Sequence, residues 1–105
     1  MLRIVEDIVR LIGEVAPLAE QIGRRDPALA KQLRDAMNSV ALNTAEGSDQ
    51  RGARRTNHYA IALGSARESL VALRAAVAWG YIAPLPFRVA DPFEKIIGTL
   101  VRNIT

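Results

Sequence analysis

Apolar residues recur along most of the chain at steps of four, three and four, which is the spacing of one face of an α-helix. No segment alternates apolar and polar residues for long enough to predict a β-strand. The repeats are typical of helices that pack in a left-handed, coiled-coil-like manner. They comprise Ile4, Ile8, Leu11, Val15, Leu18 and Ile22; Leu29, Leu33, Ala36 and Val40; Tyr59, Leu63, Ala66, Leu70, Leu73 and Val77; and Phe93, Ile97, Leu100 and Ile104.

Glycine and proline between the repeats mark the predicted helix ends. Gly23 ends the first helix, and Asp26-Pro27 combines an N-cap with a proline at the first helical position. Asp91-Pro92 repeats that signal before the fourth helix. The predicted helices therefore span residues 2–23, 27–46, 53–79 and 91–104. An earlier start near Pro86, with a bend at Pro92, is the alternative for the fourth.

The connections and the length predict the fold. Two of the connections are short, and short connections place successive helices antiparallel. With 105 residues the chain has the length of one domain. We therefore expect an all-α, antiparallel up-down-up-down four-helix bundle in a single domain.

The third helix is apolar over more of its circumference than a bundle requires, since a stripe about 100° wide is sufficient. The excess surface predicts self-association, the usual state for a chain with such a face. Alanine used simply as a good helix former is the alternative. The candidate interface residues are Val71, Ala75, Ala78 and Trp79.

The composition argues against most catalytic chemistry. The chain has no cysteine, so disulfides, thiolate metal sites and cysteine nucleophiles are excluded. Its single histidine, His58, is interpreted as a surface or capping residue, and no serine has a histidine placed as its base. No apolar run reaches the roughly 18 residues of a membrane span, and no signal peptide is recognisable. We expect a cytoplasmic protein that is not an enzyme, with no metal, cofactor or membrane partner.

Polar residues interrupt the apolar seams of the second and third helices. In an antiparallel pair joined at the 47–52 turn, residues whose numbers sum to about 102 face each other. That register pairs Arg34 with Glu68, Asn38 with Gly64 and Ser65, and Asn43 with Tyr59. We expect a structural polar network there, with an Arg34–Glu68 ion pair that specifies register more than it adds stability.

Glu46 lies near the end of the second helix, where a carboxylate opposes the helix dipole. This cost predicts a cationic partner among Arg51, Arg54 and Arg55, so Glu46 joins the expected network. An exposed carboxylate without a role is the alternative. A small-molecule or metal site built from Asn43, Glu46 and Glu68 is a further alternative.

The chain carries a formal net charge of +3, and its cations are twelve arginines and two lysines. Up-down topology brings the 47–52 turn to the same end as both termini. That end combines arginines with a stacking ring, a mixture that suits RNA or single-stranded nucleic acid. The candidate nucleic-acid-binding residues are Arg3, Arg51, Arg54, Arg55, Arg102 and Tyr59. Ordinary arginine bias of a GC-rich genome is the alternative.

The segments Ser39-x-x-x-Asn43-x-Ala45-Glu46-Gly47 and Ala62-Leu63-Gly64-Ser65-x-x-Glu68 resemble those of a known family. Arg34, an arginine in the following turn and Gly80-Tyr81-Ile82 extend the similarity over most of the chain. The family comprises four-helix-bundle proteins encoded by intervening sequences in bacterial 23S ribosomal RNA genes. It includes the accessory variability determinant of diversity-generating retroelements.

This resemblance implies an antiparallel four-helix protomer and a ring-shaped homopentamer. For the retroelement accessory proteins it also implies a basic surface that binds nucleic acid and a reverse transcriptase partner. The leading hypothesis is a non-enzymatic oligomeric adaptor that presents an arginine-rich end to RNA, DNA or a nucleic-acid enzyme. A protein–protein interaction scaffold that binds no nucleic acid is the alternative.

Overall fold

A computed structural model describes residues 2–104, which form a bundle of α-helices. The helices are α1 (Leu2–Gly23), α2 (Pro27–Ser48), α3 (Gly52–Ala78) and α4 (Phe87–Ile104). They pack in a closed order, with α1 on α2, α2 on α3, α3 on α4 and α4 on α1. The predicted all-α, four-helix bundle is therefore confirmed.

Local signals in the sequence account for the helix ends. The Oδ1 atom of Asp26 accepts a hydrogen bond from the backbone nitrogen of Leu29 at 3.0 Å, and Pro27 is the first residue of α2. Gly80 has a φ of +79° after α3, and the nitrogen of Tyr81 donates to the carbonyl of Ala76 at 2.9 Å. This is a Schellman ending, which needs a left-handed residue and so favours glycine.

The fourth helix begins at Phe87 and not at Asp91, so the start predicted from Asp91-Pro92 is wrong and the alternative near Pro86 is observed. The carbonyl of Pro86 accepts hydrogen bonds from the nitrogens of Val89 and Ala90, at 2.9 and 3.0 Å. Asp91 is not a cap, because its carboxylate pairs with Lys95 at 3.0 Å. Burial of Val89 favours the longer helix, and Pro92 is tolerated at the loss of one backbone bond.

Contacts across the bundle show the helix directions. Ser39 of α2 bonds to Ser65 of α3, and Asn43, further along α2, bonds to the earlier His58 of α3. The order is reversed, so α2 and α3 run antiparallel. Arg88 at the start of α4 pairs with Glu14 of α1, while Arg3 and Thr99 line the other end of the same groove. Thus α1 and α4 are antiparallel as well.

The core explains part of the apolar excess of α3. Of its larger seam residues, Tyr59 and Leu73 are fully buried, whereas Leu63, Leu70 and Val77 are only half-buried. Small residues are buried instead and allow α3 to approach α2 closely; they are Ala62, Ala66, Ser69, Ala72 and Ala76. Among the described residues, no helix is both long and apolar enough to cross a bilayer.

Candidate functional site

One end of the bundle carries the start of α1, the α2–α3 turn and the end of α4. Arg3, Arg51, Arg54 and Arg102 are all exposed at this end. The side chains of the first three make no hydrogen bond or ion pair with any residue in the described range, whereas Nη2 of Arg102 donates to Oγ1 of Thr99 at 3.2 Å. Free guanidinium groups are well suited to bind phosphate or carboxylate oxygens. We call these four residues the arginine end.

The Arg55 side chain is hydrogen-bonded to the backbone of the α2–α3 turn. Its Nε donates to the carbonyls of Gln50 and Gly47 at 2.9 and 3.3 Å, and its Nη2 donates to the carbonyl of Ser48 at 3.4 Å. The last carbonyls of a helix have no partners within the helix and need such donors. Arg55 therefore closes the end of α2, and its predicted role in binding nucleic acid has to compete with this structural role.

Tyr59 is fully buried, with 0% of its surface exposed, so the prediction of a base-stacking ring at this position is wrong. Gly47 allows the burial. A Cβ atom at Gly47 would lie 2.6 and 2.7 Å from Cε1 and Cδ1 of Tyr59, and 3.1 Å from Cβ of His58. The ring thus packs directly on the backbone of α2, and its hydroxyl lies 3.5 Å from Oγ of Ser48.

A hydrogen-bonded chain, which we call the polar seam, links α2 to α3. Oγ of Ser65 donates to Oγ of Ser39 at 2.7 Å, and Nδ2 of Asn43 donates to the same Oγ at 3.2 Å and to the Ser39 carbonyl at 3.1 Å. Nδ1 of His58 lies 3.1 Å from Oδ1 of Asn43. Because Oδ1 is an acceptor, Nδ1 of His58 must be the donor. Ser39, Asn43, His58 and Ser65 are half-buried. The seam continues to the fully buried Ser69, whose Oγ donates to the Ser65 carbonyl at 2.8 Å.

The predicted network is only partly formed. Asn43 and Ser65 lie in the polar seam, but Arg34 and Glu68 form no ion pair, and that prediction is wrong. Arg34 lines a shallow cavity between α1 and α2 together with Asn38, so both point away from α3. Glu68 is exposed on the outer side of α3. Register fixes the height of Arg34 and Glu68 along the two helices but not the rotation of each helix about its axis. The observed rotations turn the two side chains in different directions.

Glu46 is exposed and pairs with none of Arg51, Arg54 and Arg55, so its predicted cationic partner is absent. Within residues 2–104 no group of three or more His, Asp or Glu side chains is placed to hold a metal ion. Asn43 also uses both ends of its amide inside the polar seam. These observations leave no common site for Asn43, Glu46 and Glu68.

A second surface is an exposed apolar stripe on α3, formed by Ile61, Val71, Ala75 and Trp79. Val71 and Trp79 expose 62% and 69% of their surface, and Ala75 is half-buried between them. Ala78, the other candidate interface residue, is exposed beside Trp79. Glu68 interrupts the stripe as an exposed carboxylate without a partner among the described residues. The Trp79 ring stacks on the Tyr81 ring of the same chain, with 6.3 Å between the ring centroids. The stripe otherwise gives α3 an apolar face without a partner among the described residues.

A third surface is an open groove of about 760 Å³ between α1 and α4. Its apolar lining includes Ile4, Leu11, Pro92, Ile96 and Phe87, the last with 78% of its surface exposed. The carboxylates along its rims are paired with neighbouring cations: Asp7 with Arg10, Glu14 with Arg88, and Asp91 with Lys95. Arg3, at the end opposite Phe87, has no such partner in the described part of the chain.

Comparison with known proteins identifies the family. A family model for the 23S rRNA-intervening sequence proteins matches residues 1–96. The chain belongs to this family. A structure of similar fold is that of a protein of unknown function from the S23 ribosomal protein family of Bacteroides thetaiotaomicron, with a TM-score of 0.82. That protein is 18% identical in sequence, and the alignment covers 97% of this chain and 98% of the other. No curated protein matches the chain.

In this member of the 23S rRNA-intervening sequence protein family, the polar seam contains three residues that the sequence does not predict there. Ser39 and Ser69 lie outside the predicted network, and the sequence predicts a surface or capping role for His58. The antiparallel register is compatible with a contact between Asn43 and either His58 or Tyr59, because both lie opposite Asn43. The choice between the two depends on helix rotation, which buries Tyr59 and leaves His58 at the seam.

Proposed function

We propose that the chain is a non-enzymatic, self-associating helical-bundle adaptor whose arginine end binds the phosphate backbone of RNA or DNA. The observation that carries this proposal is the pair of exposed guanidinium groups of Arg51 and Arg54, which have no partner within the described residues. With Tyr59 buried, the arginine end has charge but loses its candidate stacking ring. Contacts to phosphate position a protein without reading bases, so we expect binding with little sequence preference.

Self-association supports the proposal, since it multiplies the positive charge at one face of the assembly. The exposed stripe on α3 is the basis for it. The resemblance to retroelement accessory proteins supports the finer form of the proposal, a ring-shaped homopentamer with a reverse transcriptase partner.

The test is fluorescence anisotropy of a labelled RNA hairpin and a labelled DNA duplex, titrated with protein over a salt series. Neutralising phosphates releases counterions, so log K falls with log salt by about 0.9 per phosphate contact on duplex DNA. We expect Arg51→Glu with Arg54→Glu to weaken binding and to flatten this slope. Arg67→Glu with Arg74→Glu is the matched control, because it makes the same charge change on the same helix, away from the arginine end.

If both double variants lost the same affinity for nucleic acid, the effect would come from net charge alone. That result would contradict a binding site at the arginine end. Absence of binding at low salt would exclude the nucleic-acid role. The scaffold alternative would then apply, and it has its own supporting observation in the apolar groove between α1 and α4. In that case the exposed arginines would pair with acidic protein surfaces.

A further inference from the structure

We infer that the α3 stripe of one copy binds in the α1–α4 groove of the next copy, with Glu68 against Arg3 and Trp79 against Phe87. The inference rests on the self-association proposed above and specifies its geometry. It makes the contact heterologous, because each copy contributes a different surface to each side of the interface.

The two surfaces lie on different parts of the bundle. The stripe lies on the outer side of α3, which packs chiefly against α2 and α4, whereas the groove is formed by α1 and α4. A molecule that carries both surfaces can therefore bind one copy on each side. Such contacts close into a ring or extend into a filament, and they do not stop at a two-fold dimer.

Charge complementarity supports a second copy as the occupant. Each carboxylate that lines the groove already has a cation nearby, which leaves Arg3 as the unpaired charge of the groove. Within the stripe the one charged residue is of the opposite sign: Glu68, which has no partner among the described residues. An apolar surface with one anion therefore meets an apolar surface with one spare cation, and neither charge is left unpaired on binding. Arg3 then belongs to the interface, and phosphate binding at the arginine end rests on Arg51 and Arg54.

The spacing of these groups matches along the helices. Glu68 and Trp79 on α3 have the same sequence separation as Arg3 and Glu14 on α1, and Glu14 lies at the Phe87 end of the groove through its pair with Arg88. Both spans are about 16 Å at a rise of about 1.5 Å per residue. A neighbouring α3 placed with Glu68 at Arg3 consequently brings Trp79 to Phe87.

The same placement covers the most exposed aromatic side chains of both surfaces. Phe87 and Trp79 expose 78% and 69% of their surface in the single chain, and ring pairs of this kind favour association beyond the area they bury. Val71 and Ala75 lie between Glu68 and Trp79 and would rest on the apolar floor made by Ile4 and Leu11. Every large group of the stripe from Glu68 to Trp79 thus finds a counterpart.

The first experiment maps the contact with engineered cysteines, which the natural chain lacks. Ala75→Cys marks the stripe and Arg10→Cys marks the groove rim at the matching height. Each variant is treated with a short bis-maleimide, separately and as a mixture, and dimers are read on a denaturing gel. We expect covalent dimers in the mixture and few in either variant by itself.

The second experiment is a charge exchange followed by light scattering after gel filtration. We expect Glu68→Arg and Arg3→Glu each to weaken assembly by about tenfold or more, and the double variant to restore it, because the charges again match. Glu94→Arg is the control, since this exposed carboxylate of α4 lies outside the groove. A double variant as weak as the single ones would overturn the pairing.

The outcomes separate this inference from the proposal on which it rests. A monomer at every concentration, with no cross-linked mixture, would overturn both. An oligomer in which Ala75→Cys cross-links efficiently to itself would retain self-association but overturn the stripe-in-groove contact, because that pattern requires stripe to face stripe. A mixed cross-link together with rescue by charge exchange would establish the heterologous contact.

Discussion

Replacement of Gly47 by alanine should destabilise the bundle, although alanine is the better helix former. The added Cβ would lie 2.6 and 2.7 Å from two ring carbons of Tyr59. Non-bonded carbons are normally about 3.5–4.0 Å apart, so the ring or the helix must move by about 1 Å. The Tyr59 ring has 0% exposure and belongs to the packed core, so it can move only against its neighbours, which makes the movement costly.

The expected magnitude is the difference of two terms. Inserting a methyl group into a packed core costs about 1–3 kcal/mol, and exchanging glycine for alanine in a helix gains about 0.5–1 kcal/mol. The difference is about 0–2.5 kcal/mol, and the overlap with two ring carbons places the cost in the upper part of its range. We therefore expect a net loss of about 1–2 kcal/mol in the free energy of unfolding. For a domain of this size that corresponds to a fall in Tm of about 5–15 °C.

Thermal and urea unfolding followed by circular dichroism measure this change at one fixed protein concentration, because assembly makes Tm depend on concentration. Gly13→Ala is the matched control: Gly13 is in the interior of α1 and a Cβ there would meet no atom within 4 Å. It should gain about 0.5–1 kcal/mol.

A double-mutant cycle identifies the clash. In a Tyr59→Leu background the smaller, rotatable side chain should accommodate the methyl group, so the loss caused by Gly47→Ala should shrink or change sign. The reasoning would be refuted if Gly47→Ala were as stable as the natural chain, or if the loss were the same in both backgrounds.

Three further predictions concern the same end of the bundle. Thr44→Val should raise the stability by about 1 kcal/mol in urea unfolding, because the buried Oγ1 of Thr44 has no hydrogen-bond partner among the described residues; a loss would show that the hydroxyl is satisfied. Arg55→Ala should cost about 1 kcal/mol by removing the hydrogen bonds to the carbonyls of Gly47 and Ser48 at the end of α2 and of Gln50 beyond it, whereas Arg54→Ala should stay within about 0.5 kcal/mol; equal effects would contradict the capping role. Asn43→Ala should cost about 1–2 kcal/mol, since it leaves Nδ1 of His58 without its acceptor in a half-buried position and removes the Asn43 donor to Oγ of Ser39; an unchanged Tm would remove the polar seam from the account of stability.

The helices themselves were predictable from the sequence because their signals are local. The apolar spacing identified each helix, and Asp26-Pro27 marked the start of α2 as the structure has it. The start of α4 was not predictable from Asp91-Pro92, because a proline is compatible with more than one position near a helix start. Burial of Val89 and the hydrogen bonds to the Pro86 carbonyl favour the earlier start, and the burial depends on the other helices.

The polar seam and the arginine end show more clearly which features the sequence predicts and which depend on helix packing. The turn and the register placed Asn43 near the start of α3, and the up-down order placed Arg3 with Arg51 and Arg54. Register gives the height of a residue along a neighbouring helix and not its rotation about the helix axis. Close packing of the small residues of α3 on α2 decides that rotation. It turns Arg34 towards α1, leaves Glu68 outside and buries the Tyr59 ring over Gly47. Side-chain spacing along one helix is a property of the local chain, whereas the direction in which a face points is decided only when all the helices pack together.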